Sequence, residues 1–221
     1  MTAAPYDAAP LPADGTLLTA RGVRSREALL AAARRLFRTK GYANTKIADI
    51  TEEAGRALGS FYTYFENKEA VLEQLAEDFK AEVEGRYADL DTTGRDPHAL
   101  IRELCAIYWT SCRQHSAELA AIFQASMLDE HFAGRWREIR ADARARIADG
   151  IRAVAEAGLA SDPTPDLTAS ALGSMLDYFC YVWLVEGGEA DLPTVSDDVA
   201  IATMTRVLYR TVFAAPEPEM T

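Results

Sequence analysis

The chain has 221 residues, of which 49% are hydrophobic and 26% are charged, and its formal net charge is −11. These values are typical of a folded protein of one or two domains and not of a disordered chain. No apolar run approaches the roughly 20 residues that span a bilayer, and no signal-peptide pattern opens the chain, so we expect a cytoplasmic protein without a membrane partner.

The charge is unevenly distributed along the chain. Residues 21–68 carry ten Lys and Arg against five Asp and Glu, a net charge of +5, whereas residues 69–221 carry a net charge of −14. A basic segment on an acidic remainder is typical of a protein that presents only that segment to a polyanion. Chance clustering of surface charge is the alternative at this point.

Apolar residues recur at spacings of three and four along almost the whole chain, as on the buried side of a helix. No segment shows the alternation of a strand, so the sequence predicts an all-α fold. Nine helices are expected, at about residues 24–40, 46–53, 58–64, 67–90, 97–115, 117–128, 130–157, 165–186 and 197–213.

Residues that favour helix starts precede several of these segments. Thr45 is expected to cap the second helix, and Asp96 and Thr164 each stand directly before a proline in a first helical turn. Ser196 precedes two acidic residues that suit the dipole of the last helix.

The stretch LGSFYTYF at 58–65 contains four aromatic residues within five positions. On a helix that turns about 100° per residue, Phe61 and Phe65 lie on one side, where they can pack on the first two helices. Tyr62 lies at the edge of that side, and the opposite side carries Gly59, Ser60, Thr63 and Tyr64. We therefore expect Tyr64 to project further outward than Tyr62.

Two helices joined by a tight Gly-containing turn form a helix-turn-helix, whose second helix enters the major groove of DNA. Small residues at Gly59 and Ser60 allow close approach of the backbone, and the hydroxyls of the two tyrosines can hold phosphates together with Lys68. Double-stranded DNA is the predicted partner. The predicted contacts come from Thr45, Lys46, Arg56, Leu58, Gly59, Ser60, Tyr62, Thr63, Tyr64 and Lys68.

The run GYANTKIADITEEAGRALGSFYTYFENKEAVLEQL, residues 41–75, also carries a family pattern of Gly-Tyr, Thr, Ile-Ala, Ala-Gly, Gly-Ser, Tyr-x-Tyr-Phe and Lys-Glu. It resembles the DNA-binding domain of TetR-type transcriptional regulators, over about residues 24–75. Thr51 stands where the family often has Ala, and Arg56-Ala57 where it often has Val-Ser. Arg56 can reach a phosphate or a base, or be an exposed side chain without a DNA role. Leu58, at an often polar position, can touch a thymine methyl or simply pack.

The resemblance implies a homodimer in which the last two helices of each subunit form a four-helix bundle, and therefore a near-palindromic operator. It also implies a repressor that releases DNA when a small molecule binds the C-terminal part. The expected organisation is a disordered tail at 1–20, the DNA-binding domain at 21–68, a ligand-binding and dimerisation domain at 69–215 and a flexible tail at 216–221.

Large apolar side chains are frequent in the C-terminal part and by themselves indicate a core more often than a pocket. The resemblance implies that some of them line a cavity for a mainly apolar effector, with Gln124 or Asp177 as polar anchors. Pairing with an arginine of the seventh helix is the alternative for Asp177. The predicted ligand contacts are Trp109, Cys112, Phe123, Met127, Trp136, Met175, Phe179 and Trp183.

Two other functions remain as alternatives, a constitutive helix-turn-helix DNA binder and a helical enzyme. The three histidines are isolated, and no nucleophile motif or phosphate-binding Gly loop is present. The three cysteines have no metal-ligand spacing, so buried reduced thiols are expected and no cofactor or metal is predicted.

Overall fold

The computed structural model describes residues 19–160 and 162–213. Within these ranges it contains nine helices and no strand, which confirms the predicted all-α fold. The helices are α1 Ala20–Lys40, α2 Ile47–Glu53, α3 Leu58–Phe61, α4 Lys68–Ala88, α5 Pro97–Gln114, α6 Ser116–Leu128, α7 Glu130–Glu156, α8 Pro165–Leu184 and α9 Asp197–Val212. None of these helices combines the length and the apolar character that a bilayer crossing requires.

The first helix begins earlier than the apolar pattern predicts. Thr19 caps α1, its Oγ1 accepting a hydrogen bond from Gly22 N at 3.2 Å. Thr19 and Ala20 fell within the predicted N-terminal tail, and the rest of that tail, residues 1–18, lies outside the described residues, as do residues 214–221.

Side-chain caps set the starts of four later helices. The side chains of Asn67, Asp96, Asp129 and Ser196 each accept a hydrogen bond from a backbone N–H in the first turn of the helix that follows. The cap predicted at Thr45 is wrong, because Lys46 holds the N-cap position of α2. Thr164 holds the N-cap position of α8 before a proline in the first turn, as predicted, but its side chain accepts no hydrogen bond from that turn.

The third helix is shorter than predicted, because it ends at Phe61 and residues 62–64 form a turn. The amides of Tyr64 and Phe65 both donate to Phe61 O, at 2.9 and 3.0 Å, which closes the helix with a tightened last turn. This turn brings Phe65 into the same core as Phe61, with ring centroids 5.7 Å apart.

One hydrophobic core joins the first three helices, which we call the head, to the start of the remaining six, which we call the body. Buried residues of α1, Ile50 and Phe61 pack there with Leu72 and Leu75 of α4. Residues of α6 and α7 complete the same core, among them Phe132. The proposed domain boundary at residue 68 therefore falls at the first residue of α4 and cuts across a continuous core.

A second core lies further along the body, between α4, α5, α6, α8 and α9. It contains all three cysteines, which are free and buried as the sequence predicts. Helix α9 packs mainly on α5, and α8 packs mainly on α7. Large apolar side chains on α8 and α9 remain exposed to solvent, among them Leu167, Tyr178 and Val199.

Candidate nucleic-acid interface

The head is a helix-turn-helix supported by α1. Gly55 lies in the turn that follows α2, and its φ of 62° gives the left-handed conformation that a tight turn needs and that glycine adopts without strain. Two ion pairs tie α2 to α1, Arg35 Nε to Glu53 Oε1 at 2.7 Å and Lys40 Nζ to Asp49 Oδ1 at 3.4 Å. Both pairs are largely exposed, so they help to orient α2 and contribute little to stability.

Above the buried Phe61, the second helix of the motif and its flanks form an exposed surface, which we call the α3 surface. It consists of Arg56, Leu58, Gly59, Tyr62 and Thr63. Leu58 is 49% exposed and Tyr62 is 54% exposed. About half of the Leu58 side chain is therefore accessible to a partner.

The two tyrosines occupy places opposite to those predicted. Tyr62 is exposed, whereas Tyr64 is partly buried against the head core, so the expectation that Tyr64 projects further is wrong. The physical reason is the end of α3 at Phe61, since a helical rotation of 100° per residue no longer applies to residues 62–64. The Oγ of Ser60 is buried and makes no hydrogen bond within the described residues, so this hydroxyl does not face a partner.

Thr45 and Lys46, which precede α2, also differ from each other in exposure. Thr45 is 2% exposed and its hydroxyl donates to Gly41 O at 2.8 Å, so the predicted contact of this side chain with DNA is wrong. The side chain of Lys46 is exposed, and its amide donates to Asp49 Oδ2 at 3.0 Å.

Lys68 is turned toward the head and not outward. Its Nζ donates to Tyr42 O at 2.8 Å and to Thr45 O at 3.0 Å, and lies 4.1 Å from the centroid of the Tyr42 ring. Burial lowers the pKa of Lys68. The sequence pointed to Lys68 as a phosphate ligand but missed Tyr42, although the Gly-Tyr pair before α2 was part of the recognised pattern.

An ionic link between head and body was also missed from the sequence. Arg34 Nε of α1 donates to Glu118 Oε1 of α6 at 2.9 Å, and Arg34 Nη2 donates to Asp78 Oδ2 of α4 at 3.3 Å. His115 lies between Glu118 and Glu82, at 3.3 and 2.7 Å. The residues are separated by up to 84 positions, so no local pattern marks them.

The residues predicted to bind a ligand do not surround one common cavity. Cys112 and Trp109 are buried in the second core, where Trp109 Nε1 donates to Asp197 Oδ1 at 2.9 Å. Phe123 packs on Tyr181 with ring centroids 4.4 Å apart, and Met175 contacts the second core. For Trp109 and Cys112 the core interpretation therefore describes the structure better.

The remaining four predicted ligand contacts line two separate depressions. Met127 and Trp136 border one of about 570 Å³ at the junction of α6 and α7. Phe179 and Trp183 line another of about 430 Å³, whose wall also includes Leu192 and Val195 of the connection between α8 and α9. Gly188 lies directly against the Trp183 indole, since a Cβ built at residue 188 would come within 2.7 Å of that ring.

Asp177 is held inside the body and is not free to act as a ligand anchor. Arg140 Nη1 donates to its Oδ2 at 2.6 Å and Tyr108 OH donates to its Oδ1 at 2.5 Å. Burial raises the pKa of Asp177, although both donors favour its ionised form. The alternative of pairing with an arginine of the seventh helix is confirmed.

Comparison with known proteins agrees with this geometry. The family described as "Bacterial regulatory proteins, tetR family" matches residues 29–75, which include the whole helix-turn-helix. The HTH-type transcriptional regulator EthR of Mycolicibacterium smegmatis is 29% identical over 188 residues, 84% of this chain and 85% of that protein. The HTH-type transcriptional repressor KstR2 of Rhodococcus jostii is 32% identical over 116 residues, 52% of this chain and 54% of that protein.

The similarity of the fold extends over the body. A bacterial regulatory protein in the tetR family from Rhodococcus RHA1 superposes with a TM-score of 0.69 at 20% identity, and the match covers 87% of this chain and 98% of that one. The family-model match is limited to residues 29–75, and the structural match includes the helices that follow. Residues 29–75 therefore carry a helix-turn-helix that matches the tetR-family model, and the described helices as a whole share the fold of a solved tetR-family protein.

Proposed function

We propose that this protein is a ligand-responsive repressor, which binds a near-palindromic operator as a homodimer and releases it when a mainly apolar small molecule binds the body. The observation that carries the proposal is the exposed α3 surface on a fully buried Phe61. This surface combines Leu58 and Tyr62 with Arg56 and Thr63, groups that can contact base edges and phosphates. The relative KstR2 is named a repressor, which supports the same direction of control.

The proposed DNA contacts are residues of the head that are exposed to solvent. Gly59 lets the backbone approach the bases, since nothing lies within 4 Å of where its Cβ would be. Leu58 and Tyr62 present apolar and hydroxyl groups to the groove and its edges, while Lys46 and Arg56 place positive charge beside phosphates. Residues 21–68 carry a net charge of +5 on a chain of −11, so only the head is attracted to the duplex.

The proposed dimer forms through α8 and α9. Tyr178 is 54% exposed and Val199 is 52% exposed, and both lie on helices that pack against other helices along only part of their surface. A four-helix bundle with a second copy would bury them. The two heads would then be spaced by about one turn of DNA, roughly 34–36 Å.

The proposed effector site is the depression of about 430 Å³ beside Phe179 and Trp183. Its volume lies within the usual range of small-molecule sites, roughly 300–1,000 Å³. The lining is mostly apolar, with Glu189 and Thr203 as the polar exceptions, which favours an apolar molecule with one or two polar groups. Because α9 forms part of the wall, occupancy there can alter how two copies pack.

The test is fluorescence anisotropy of labelled duplexes taken from upstream of the protein's own gene, measured at several salt concentrations. We expect salt-dependent binding of one near-palindromic duplex, with a scrambled duplex bound much more weakly. Equal binding of both duplexes would contradict operator recognition.

Ligand control needs a separate measurement. A thermal-shift screen of apolar compounds is expected to give a stabilised complex, and the same compound should release the duplex. Trp183→Ala should abolish that shift, while Trp136→Ala, in the other depression, should keep it. Absence of any stabilising compound would favour the constitutive DNA binder.

A further inference from the structure

Lys68, the first residue of α4, makes its polar contacts inside the protein. The two carbonyls that accept its hydrogens, Tyr42 O and Thr45 O, belong to the connection between α1 and α2. Of the three hydrogens of an ammonium group, two are therefore engaged by this connection. Since α4 follows the helix-turn-helix in the chain, Lys68 joins the end of the head to the point where α2 starts.

The aromatic ring below the ammonium strengthens the same link. Tyr42 is 5% exposed, its ring packs edge-on against Phe37 with centroids 5.3 Å apart, and its hydroxyl donates to Glu69 Oε1 at 2.9 Å. A cation 4.1 Å from such a ring is attracted by it, and the attraction grows when water is excluded. Consecutive residues of α4, Lys68 and Glu69, thus hold Tyr42 from its backbone and from its hydroxyl.

The connection between α1 and α2, which Lys68 and Glu69 hold in place, leads directly to the proposed DNA contacts. Thr45 N donates to Tyr42 O and the Thr45 hydroxyl donates to Gly41 O, so residues 41–45 form one hydrogen-bonded turn. The exposed Lys46 follows at once, and α2 begins at the next residue. A shift of this turn would move Lys46 and α2, and with them the α3 surface.

We propose that Lys68 is a positioning residue for DNA recognition, which fixes the turn at 41–45 so that Lys46 and the α3 surface meet the duplex in register, and that it does not itself hold a phosphate. This inference rests on the proposed DNA-binding function. It changes the role that the sequence indicated for Lys68, from a charge that contacts DNA to a charge used inside the protein.

The experiment compares Lys68→Met with Lys46→Met in the full-length protein, on the operator duplex at several salt concentrations. Each phosphate contact contributes about 0.9 to the slope of log K against log salt concentration. Lys46→Met should therefore weaken binding and flatten the slope by about one. Lys68→Met should weaken binding roughly ten- to a hundredfold, as expected for lost hydrogen bonds to a charged group, with the slope unchanged.

Each other result for Lys68→Met overturns the inference in a distinguishable way. A slope flattened by about one assigns Lys68 to a phosphate. A lower melting temperature with unchanged affinity, measured well below that temperature, assigns it a purely structural role. Failure of the wild-type protein to bind any duplex would instead overturn the DNA-binding proposal, and this inference with it.

A second variant keeps the inference testable if Lys68→Met does not fold. Lys68→Arg preserves the charge but replaces a compact ammonium with a longer, planar guanidinium, whose donors point in different directions from those that now reach the two carbonyls. We expect weakened binding with an unchanged salt slope. Wild-type affinity in Lys68→Arg would contradict the positioning role, because a phosphate accepts either cation.

Discussion

Arg34 and Glu118 connect the head to the body by an ion pair of 2.9 Å between Nε and Oε1. The Glu118 side chain is 6% exposed and also faces His115, which in turn faces Glu82 of α4. Burial acts to raise the pKa of Glu118, but the hydrogen bond from His115 and the charge of Arg34 leave that pKa below its ordinary value. A change in the body that displaces α6 would therefore act on α1 through this pair.

Replacement of Glu118 by Gln should lower the free energy of unfolding by about 1–2 kcal/mol, since a buried acceptor of two cationic donors loses its charge. The effect stays at this level because Arg34 is partly exposed and keeps Asp78 as a partner. Urea unfolding followed by circular dichroism measures it. Glu53→Gln, in the exposed pair with Arg35, is the matched control and should change the free energy by less than about 1 kcal/mol.

The stability of the protein should fall as the pH rises above about 6.5, the ordinary pKa of histidine. The hydrogen bond to Glu118, with a further one to Glu82, raises the pKa of His115 in the folded state. A raised folded-state pKa means that the stabilisation is fully present below the unfolded-state pKa and is lost as the pH rises through the folded-state value. Unfolding free energies between pH 6 and 9 test this. His115→Gln should flatten the dependence, and parallel curves for both proteins would contradict the assignment.

Phe61→Ala should destabilise the protein by about 3–5 kcal/mol, because the ring is completely buried and its removal leaves a cavity. The neighbouring Tyr62→Ala should change stability by less than about 1 kcal/mol, because the side chain is more than half exposed, yet it should weaken operator binding. Thermal unfolding and DNA anisotropy, measured on both variants, separate the two roles. Strong destabilisation by Tyr62→Ala would show that its ring supports the core.

Gly59→Ala should make the protein slightly more stable and its DNA binding weaker. The position is helical, its Cβ would meet nothing within 4 Å, and alanine is favoured over glycine there by roughly 0.5–1 kcal/mol. The added methyl group would, however, lie between the backbone and the DNA. Gly150→Ala in α7 has the same open surroundings away from the α3 surface, so it should raise stability without changing affinity. Equal affinities for the two variants would argue against close approach at residue 59.

Val207→Glu on α9 should shift the protein from dimer to monomer, since it places a charge on a side chain that the proposed four-helix bundle buries. Light scattering after size-exclusion chromatography measures the mass directly. Leu159→Glu, at an exposed apolar residue after α7, is the control and should leave the mass unchanged. A dimeric Val207→Glu protein would place the interface elsewhere.

The periodicity of the sequence predicted the nine helices, and short-range chemistry predicted several of their starts. Asp96 and Ser196 cap the helices that follow them because the hydrogen bond runs to an amide three residues away. The head could be recognised for the same reason, since its motif lies within 35 consecutive residues. The burial of Phe61 and Phe65 follows from the pattern as well.

Tertiary contacts decided the features that link distant parts of the chain. Because α3 ends at Phe61, Tyr64 lies inward and Tyr62 is exposed. The position of α4 places the Lys68 ammonium against backbone carbonyls of residues 23 and 26 positions earlier in the chain. Asp177 of α8 pairs with Arg140 of α7. The aromatic residues of the body lie partly in a core and partly in the walls of two depressions. The spacing of residues along a helix specifies which side a residue occupies, but the packing of other helices determines what that side meets.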